Sequence, residues 1–201
     1  MFFTFLMLSM YFFMPQKIKV INFIIFCCFF LNIIPSISQT ETPVKSTSSI
    51  IISLDNLTQY EKVRPIPHIV FEDSLGNKIN LENFFGNLII INFWATWCKP
   101  CEEEMPSLDR LYQNENFKNL LIFPVNMENP NFERTKKFFL NLNIKKLQIF
   151  FDTELNFIKK LKLRGVPTTV FINKKGEEFA RLVGSINFED KDFMNWLLQY
   201  D

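Results

Sequence analysis

Histidine and cysteine are scarce in this chain and charge of one sign is missing, and each shortage removes a class of function. Against 22 basic residues stand 21 acidic ones, so no field of one sign draws in nucleic acid or an anionic membrane surface. Partner choice falls to shape and local chemistry. The soft metal ligands are one histidine, His68, and four cysteines. Of these, Cys27 and Cys28 lie inside an apolar N-terminal run and count there as small hydrophobes. What remains, Cys98 and Cys101 with a sequence-distant His68, falls short of the four ligands of structural zinc, and no metal is expected. His68 reads as a strand residue facing water. The 25 phenylalanines are spread over every segment and mark no site. A length of 201 residues allows one well-buried domain with something extra.

The N-terminus holds two apolar runs. Residues 1–14 are too few to span a bilayer as a helix. Val20–Ile34 has the length of a signal-peptide core, with Lys17 and Lys19 before it and small Ser36 and Ser38 before Gln39. Residues 1–38 therefore read as an export signal, with Met14 as a second possible start, or as an uncleaved anchor if the run is counted on to Ile37. Both readings put the remainder outside the cytoplasmic membrane, periplasmic or held on its outer face, because Lys17 and Lys19 stay inside. Residues 39–64 are mostly polar apart from Ile50–Ile52 and read as a flexible tether. The folded domain is expected over 65–201. The glycosylation triplet at Asn56 is frequent by chance and carries little weight.

From His68 onward periodicity becomes informative. "HIVFED" and "NKINLE" flank a turn at Gly76 and predict a hairpin. "NLIIINFW" is an almost unbroken apolar run, as a parallel strand covered on both faces requires. After the cysteines, Met105, Leu108 and Leu111 define the buried face of a helix, with Glu102, Glu103 and Glu104 in its first turn, where amide ends favour negative charge. "LLIFPVNM", "KLQIFFD" and "PTTVFIN" predict further strands, the last paired with "EEFARLVG". Pro124 demands an edge or a bulge in its strand. Helices are expected over 131–142, burying Phe132, Phe139 and Leu142, and over 188–199, burying Phe193, Trp196 and Leu197. The sum is an α/β fold, a mixed central sheet flanked by helices with an N-terminal β-hairpin.

Cys98 and Cys101 admit three readings. A metal role would need a dimer or copper(I) held by two thiolates. A structural disulfide would close so short a loop that it hardly constrains the unfolded chain. Redox exchange suits the position. A sulfur just before a helix meets unpaired amides that favour thiolate, Lys99 adds positive charge, and Pro100 in the first turn forfeits no needed hydrogen bond. Cys98 would attack and Cys101, one turn in, would resolve the mixed disulfide.

"FWATWCKPC" with "EMP" close behind, followed downstream by "GVPTTVFIN", resembles the thioredoxin superfamily, and within it the exported thiol:disulfide oxidoreductases of the TlpA/ResA (AhpC/TSA-Redoxin-like) type. The resemblance covers Pro65 to Asp201. It implies a thioredoxin fold in which Val166 and a cis Pro167 sit opposite the cysteines and present backbone to a substrate, with Trp97 shaping the rim. Asn92 stands where cytosolic members carry a buried acid that manages the inner thiol's proton, and Glu128, after the following strand, is the candidate to replace it. The implied activity is reduction of disulfides in proteins such as apocytochrome c or respiratory copper-site proteins, with electrons from a membrane or periplasmic donor. No cofactor beyond the redox-active Cys98–Cys101 disulfide is expected. A disulfide-forming oxidant and a non-catalytic copper- or thiol-binding module are the alternatives. The Lys-Pro dipeptide, which lacks a histidine to stabilise thiolate strongly, speaks against the oxidant.

Overall fold

The computed structural model describes residues 56–201. The predicted export signal, Cys27, Cys28 and the first part of the tether lie outside them. Eight strands, β1 (Leu57–Pro65), β2 (Val70–Asp73), β3 (Lys78–Asn80), β4 (Leu88–Trp94), β5 (Leu120–Asn126), β6 (Phe150–Phe151), β7 (Thr168–Ile172) and β8 (Glu177–Val183), form one sheet in the order β1-β8-β7-β4-β5-β6-β2-β3. The helices are α1 (Lys99–Tyr112), α2 (Phe132–Asn141), α3 (Asn156–Leu161) and α4 (Lys191–Leu197), with 3-10 turns at Leu81–Phe84 and Leu198–Tyr200.

Strand β4 runs parallel to β5 and antiparallel to β7, and all of its residues are buried. Its side chains alternate between two cores, as strand geometry dictates. Leu88, Ile90 and Trp94 pack with Met105, Leu108 and Leu111 of α1, Phe139 of α2 and Trp196 of α4. Ile89, Ile91 and Phe93 pack with Phe157 and Leu161 of α3 and with Ile69, Phe71 and Leu81. By that alternation Asn92 falls on the α1 face.

Several boundaries differ from the sequence reading. Leu57–Arg64, expected in the tether, forms with Pro65 a strand antiparallel to β8. Its register slips between Gln59 and Arg64, so only Leu57, Tyr60 and Val63 are partly buried, and the period of two that announces a strand is lost. Side chains fasten it: the Tyr60 hydroxyl bonds Glu178 at 3.2 Å, and Gln59 accepts from Trp196 Nε1 at 3.0 Å. The strand expected at "KLQIFFD" shrinks to Phe150–Phe151. Helix α3, six residues long, is too short to show a period in the sequence. Phe132, expected in the core, is exposed at the open end of α2, whereas Phe139 is buried. Pro124 lies on the stretch of β5 that only β4 pairs, since β6 reaches just Val125 and Asn126.

Candidate active site

The chain leaves β4 at Trp94, crosses Ala95–Trp97, and enters α1 with Cys98 as its N-cap. Cys98 and Cys101 are joined by a disulfide with a Cα–Cα separation of 5.3 Å. The Cys98 sulfur accepts the Cys101 N–H at 3.3 Å. It thus sits among the first-turn amides, whose partial positive charge favours a thiolate there on reduction. Pro100 occupies that first turn, where no intrahelical donor is missed. Cys98 retains 4% exposure and Cys101 none, which ranks Cys98 as the sulfur a partner can reach. Around it Trp97 is 73% exposed, an unusual degree for an indole. The Lys99 ammonium pairs with Glu102 at 3.2 Å, so its positive charge is shared with a carboxylate rather than given wholly to the sulfur.

The second wall comes from β7. Phe93 registers with Thr168, which brings Pro167 and Val166 alongside Trp94 and Ala95, at the sheet edge where the cysteines stand. The Val166–Pro167 bond is cis, and Val166 packs against the cluster that contains Cys98 and Cys101. The Thr168 hydroxyl donates to Gly165 O at 2.7 Å and fixes the loop.

Beneath the disulfide lies a buried polar group of three. Asn92 Nδ2 donates to Glu104 Oε1 at 2.8 Å and to Thr169 Oγ1 at 3.0 Å, while Glu104 Oε2 accepts from Ile186 N at 3.4 Å. Burial pushes the Glu104 carboxyl up to about 7, with the Asn92 and Ile186 hydrogen bonds opposing. Asn92 Oδ1 has no partner among the described residues. Turning the amide over would offer that oxygen to a protonated Glu104 and to the Thr169 hydroxyl, so Asn92 can serve either charge state of the acid.

Glu128 is also at this edge. Its carboxylate accepts from Thr96 N at 2.5 Å, Thr96 Oγ1 at 3.1 Å and Asn126 Nδ2 at 3.3 Å, and it pairs with Arg134 of α2 at 2.9 Å. These bonds tie the loop before Cys98 to β5 and α2. Among the described residues none of them reaches a cysteine.

With this geometry in hand, residues 63–177 match the AhpC/TSA family. The chain belongs to that family. Among its AhpC/TSA relatives are thiol-disulfide oxidoreductases named ResA. The protein from Halalkalibacterium halodurans is 36% identical over 110 residues, 55% of this chain and 61% of the relative. That from Bacillus thuringiensis is 32% identical over 130 residues, 63% of this chain and 74% of the relative. The chain takes its place with these ResA-type oxidoreductases. Among solved structures, a secreted thiol-disulfide isomerase from Corynebacterium glutamicum superposes with a TM-score of 0.62 at 19% identity, covering 72% of this chain and 91% of the other. StoA from Bacillus subtilis gives 0.54 at 22%, covering 65% and 96%. Both carry the thioredoxin-like fold.

The structure brings Cys98, Cys101, Trp97, Val166, Pro167 and Glu128 to one edge of the AhpC/TSA sheet. The residue that sequence reasoning passed over is Glu104. Its place next to Glu102 and Glu103 suggests a first-turn acid, yet it is buried in α1 beside Met105. A signal was present: Glu104 follows Cys101 by three and precedes Leu108 by four, which puts it inside the buried stripe of the helix. A glutamate in such a stripe is rarely there for packing.

Proposed function

We propose that the protein reduces disulfides in other proteins outside the cytoplasmic membrane, using a Cys98–Cys101 dithiol. The observation that carries the reading is the helix-start position of Cys98 beside cis Val166–Pro167, with Cys101 sealed one turn inside and a buried carboxyl one turn beyond that. The Cys98 thiolate attacks one sulfur of the substrate disulfide. That bond breaks, a mixed disulfide forms, and the other substrate sulfur leaves as a thiolate that takes up a proton. Cys101 then gives up its proton, attacks the Cys98 sulfur and releases the second substrate cysteine. Two electrons pass to the substrate, whose two thiolates take up the proton given up by Cys101 and one from solvent, and the protein is left as the Cys98–Cys101 disulfide.

Glu104 is suited to take the Cys101 proton. It lies one helical turn away, and an acid titrating near 7 both accepts and returns a proton at neutral pH. Glu128, the acid the sequence pointed to, is the second candidate, and its bonds to Thr96 suit it better to holding the loop. Exposed Trp97 and the backbone of Val166 and Pro167 form the surface for an extended substrate. Family resemblance supports apocytochrome c or respiratory copper-site proteins as targets and a membrane or periplasmic dithiol as electron donor, with residues 1–38 exporting or anchoring the domain.

Trapping tests the reading. Cys101→Ser should accumulate a mixed disulfide between Cys98 and its target, which can be isolated and identified, whereas Cys98→Ser should accumulate none. Equal capture by both variants would remove Cys98 as the attacking group, and reduced protein that binds copper(I) tightly and leaves a model disulfide intact would point to the binding-module alternative.

A further inference from the structure

Between α3 and the cis-proline loop the chain reads Leu161, Lys162, Leu163, Arg164, Gly165, Val166. Leu161 and Leu163 pack into the core under the sheet, while Lys162 and Arg164 are exposed. Neither cation forms an ion pair or a side-chain hydrogen bond among the described residues. The two lysines just before them differ in this respect, since Lys159 Nζ bonds Glu154 O and Lys160 Nζ bonds His68 O. Lys162 also occupies a position where its side chain is unfavourable. It caps α3 with φ at 52°, its N–H on Ile158 O, a left-handed site that helix ends usually give to glycine. On the opposite lip of the site, Lys99 is exposed and held by Glu102. Exposed lysines elsewhere, Lys62, Lys137, Lys174, Lys175 and Lys191 among them, also lack such partners among the described residues, so what sets Lys162 and Arg164 apart is their place on the segment that leads directly into the cis Val166–Pro167 bond.

We propose that Lys162 and Arg164 read acidic residues flanking the cysteine under attack, so that the preferred substrates are protein disulfides with Asp or Glu close by in sequence. This rests on the thiol-exchange reading above and specifies its substrate class. A substrate strand laid against Val166 passes Arg164 two residues away, about 7 Å at extended spacing. The two cations therefore meet substrate side chains roughly two to five residues from the reacting sulfur. At such an exposed lip the attraction acts on encounter more than on the bound state, so it should appear in the bimolecular rate and vanish with salt.

The test uses the full-length reduced chain and three disulfide-containing peptides that differ only in having Asp, Asn or Lys at those flanking positions. Rates are read by alkylating the remaining protein thiols over time. At about 0.02 M salt the acidic peptide should react about five- to tenfold faster than the Asn peptide, and the Lys peptide slower by a similar factor. At about 0.5 M salt, where screening extends only a few ångströms, the three rates should converge. The double variant Lys162→Glu, Arg164→Glu should invert the low-salt order. Equal low-salt rates for the three peptides on the parent chain would overturn charge reading while leaving thiol exchange in place, and so would a variant that keeps the parent's order. Failure of the parent to reduce even the Asn peptide would overturn both. The parent's rates and their salt dependence suffice if the variant does not fold.

Discussion

Cys98 and Cys101 differ by one helical turn and by what surrounds each sulfur. Cys98 caps α1 and keeps a sliver of exposure, while Cys101 is closed in among Met105 and Trp94. Alkylation of the reduced protein near neutral pH should therefore label Cys98 well before Cys101, and equal labelling would remove the assignment of attacking group. Glu104 gives a second prediction at this scale. Its folded-state value, about 7, is raised above the ordinary 4.5 by burial, so the folded protein holds a proton that the unfolded chain has released. That contribution is full below about 4.5 and is lost as pH rises through 7. Stability of the disulfide form, in which the cysteines do not titrate, should fall from pH 5 to pH 8 by up to about 3 kcal/mol. Glu104→Gln should abolish most of that slope. Denaturant midpoints across this range check it, and parallel curves for parent and variant would show that Glu104 does not carry the titration.

At the scale of elements, two carboxylates do structural tasks that no local pattern announces. Asp109 of α1 is buried, and it accepts the N–H groups of Lys145, Lys146 and Leu147 at 3.1, 2.8 and 2.9 Å. It thereby fastens the loop after α2 onto α1. Asp109→Ala strips three backbone amides of their acceptor and should cost about 2–4 kcal/mol, read as a lower urea midpoint at unchanged slope. Glu128 joins α2, β5 and the Thr96 loop in the same manner. Glu128→Gln keeps an acceptor for Thr96, so the pH profile of Cys98 alkylation should overlie that of the parent. Glu128→Ala, which frees the loop, should slow exchange with a model disulfide several-fold, since a lost hydrogen bond of about 1 kcal/mol is a factor of about five. A shifted profile in the Gln variant would instead make Glu128 the proton acceptor.

Over the whole molecule, the sheet decides the site by bringing the ends of β4, β5 and β7 to one edge. What it does not bring there is a histidine: the chain's single one, His68, lies before β2, and among the described residues the Cys98 sulfur meets helix amides and a Lys99 charge shared with Glu102. A potential nearer that of thioredoxin, about −270 mV, than that of DsbA, about −120 mV, is expected. Equilibration with glutathione or dithiothreitol measures it. A value above about −150 mV would move the protein to the disulfide-forming class.

The linear sequence sufficed for whatever depends on neighbours along the chain. Cys98, Pro100 and the apolar face of Met105, Leu108 and Leu111 announce a helix with a thiol at its start, because capping and the period of 3.6 are local. The run Leu88–Trp94 announces a central strand, since only burial on both faces tolerates it. Where partners come from distant segments the same sequence was silent. The strand at Leu57–Pro65 looked like a tether because an edge strand with a slipped register shows no alternation. Glu104 shows in the sequence only as an acid on the buried stripe of α1, and its polar company, Asn92 with Thr169 behind it and Ile186 N, comes from other elements. Tertiary packing decided both, by choosing which polar groups lose water: a carboxyl deprived of solvent and given two N–H donors for company becomes a proton store, and nothing in the order of residues states how much water is left around it.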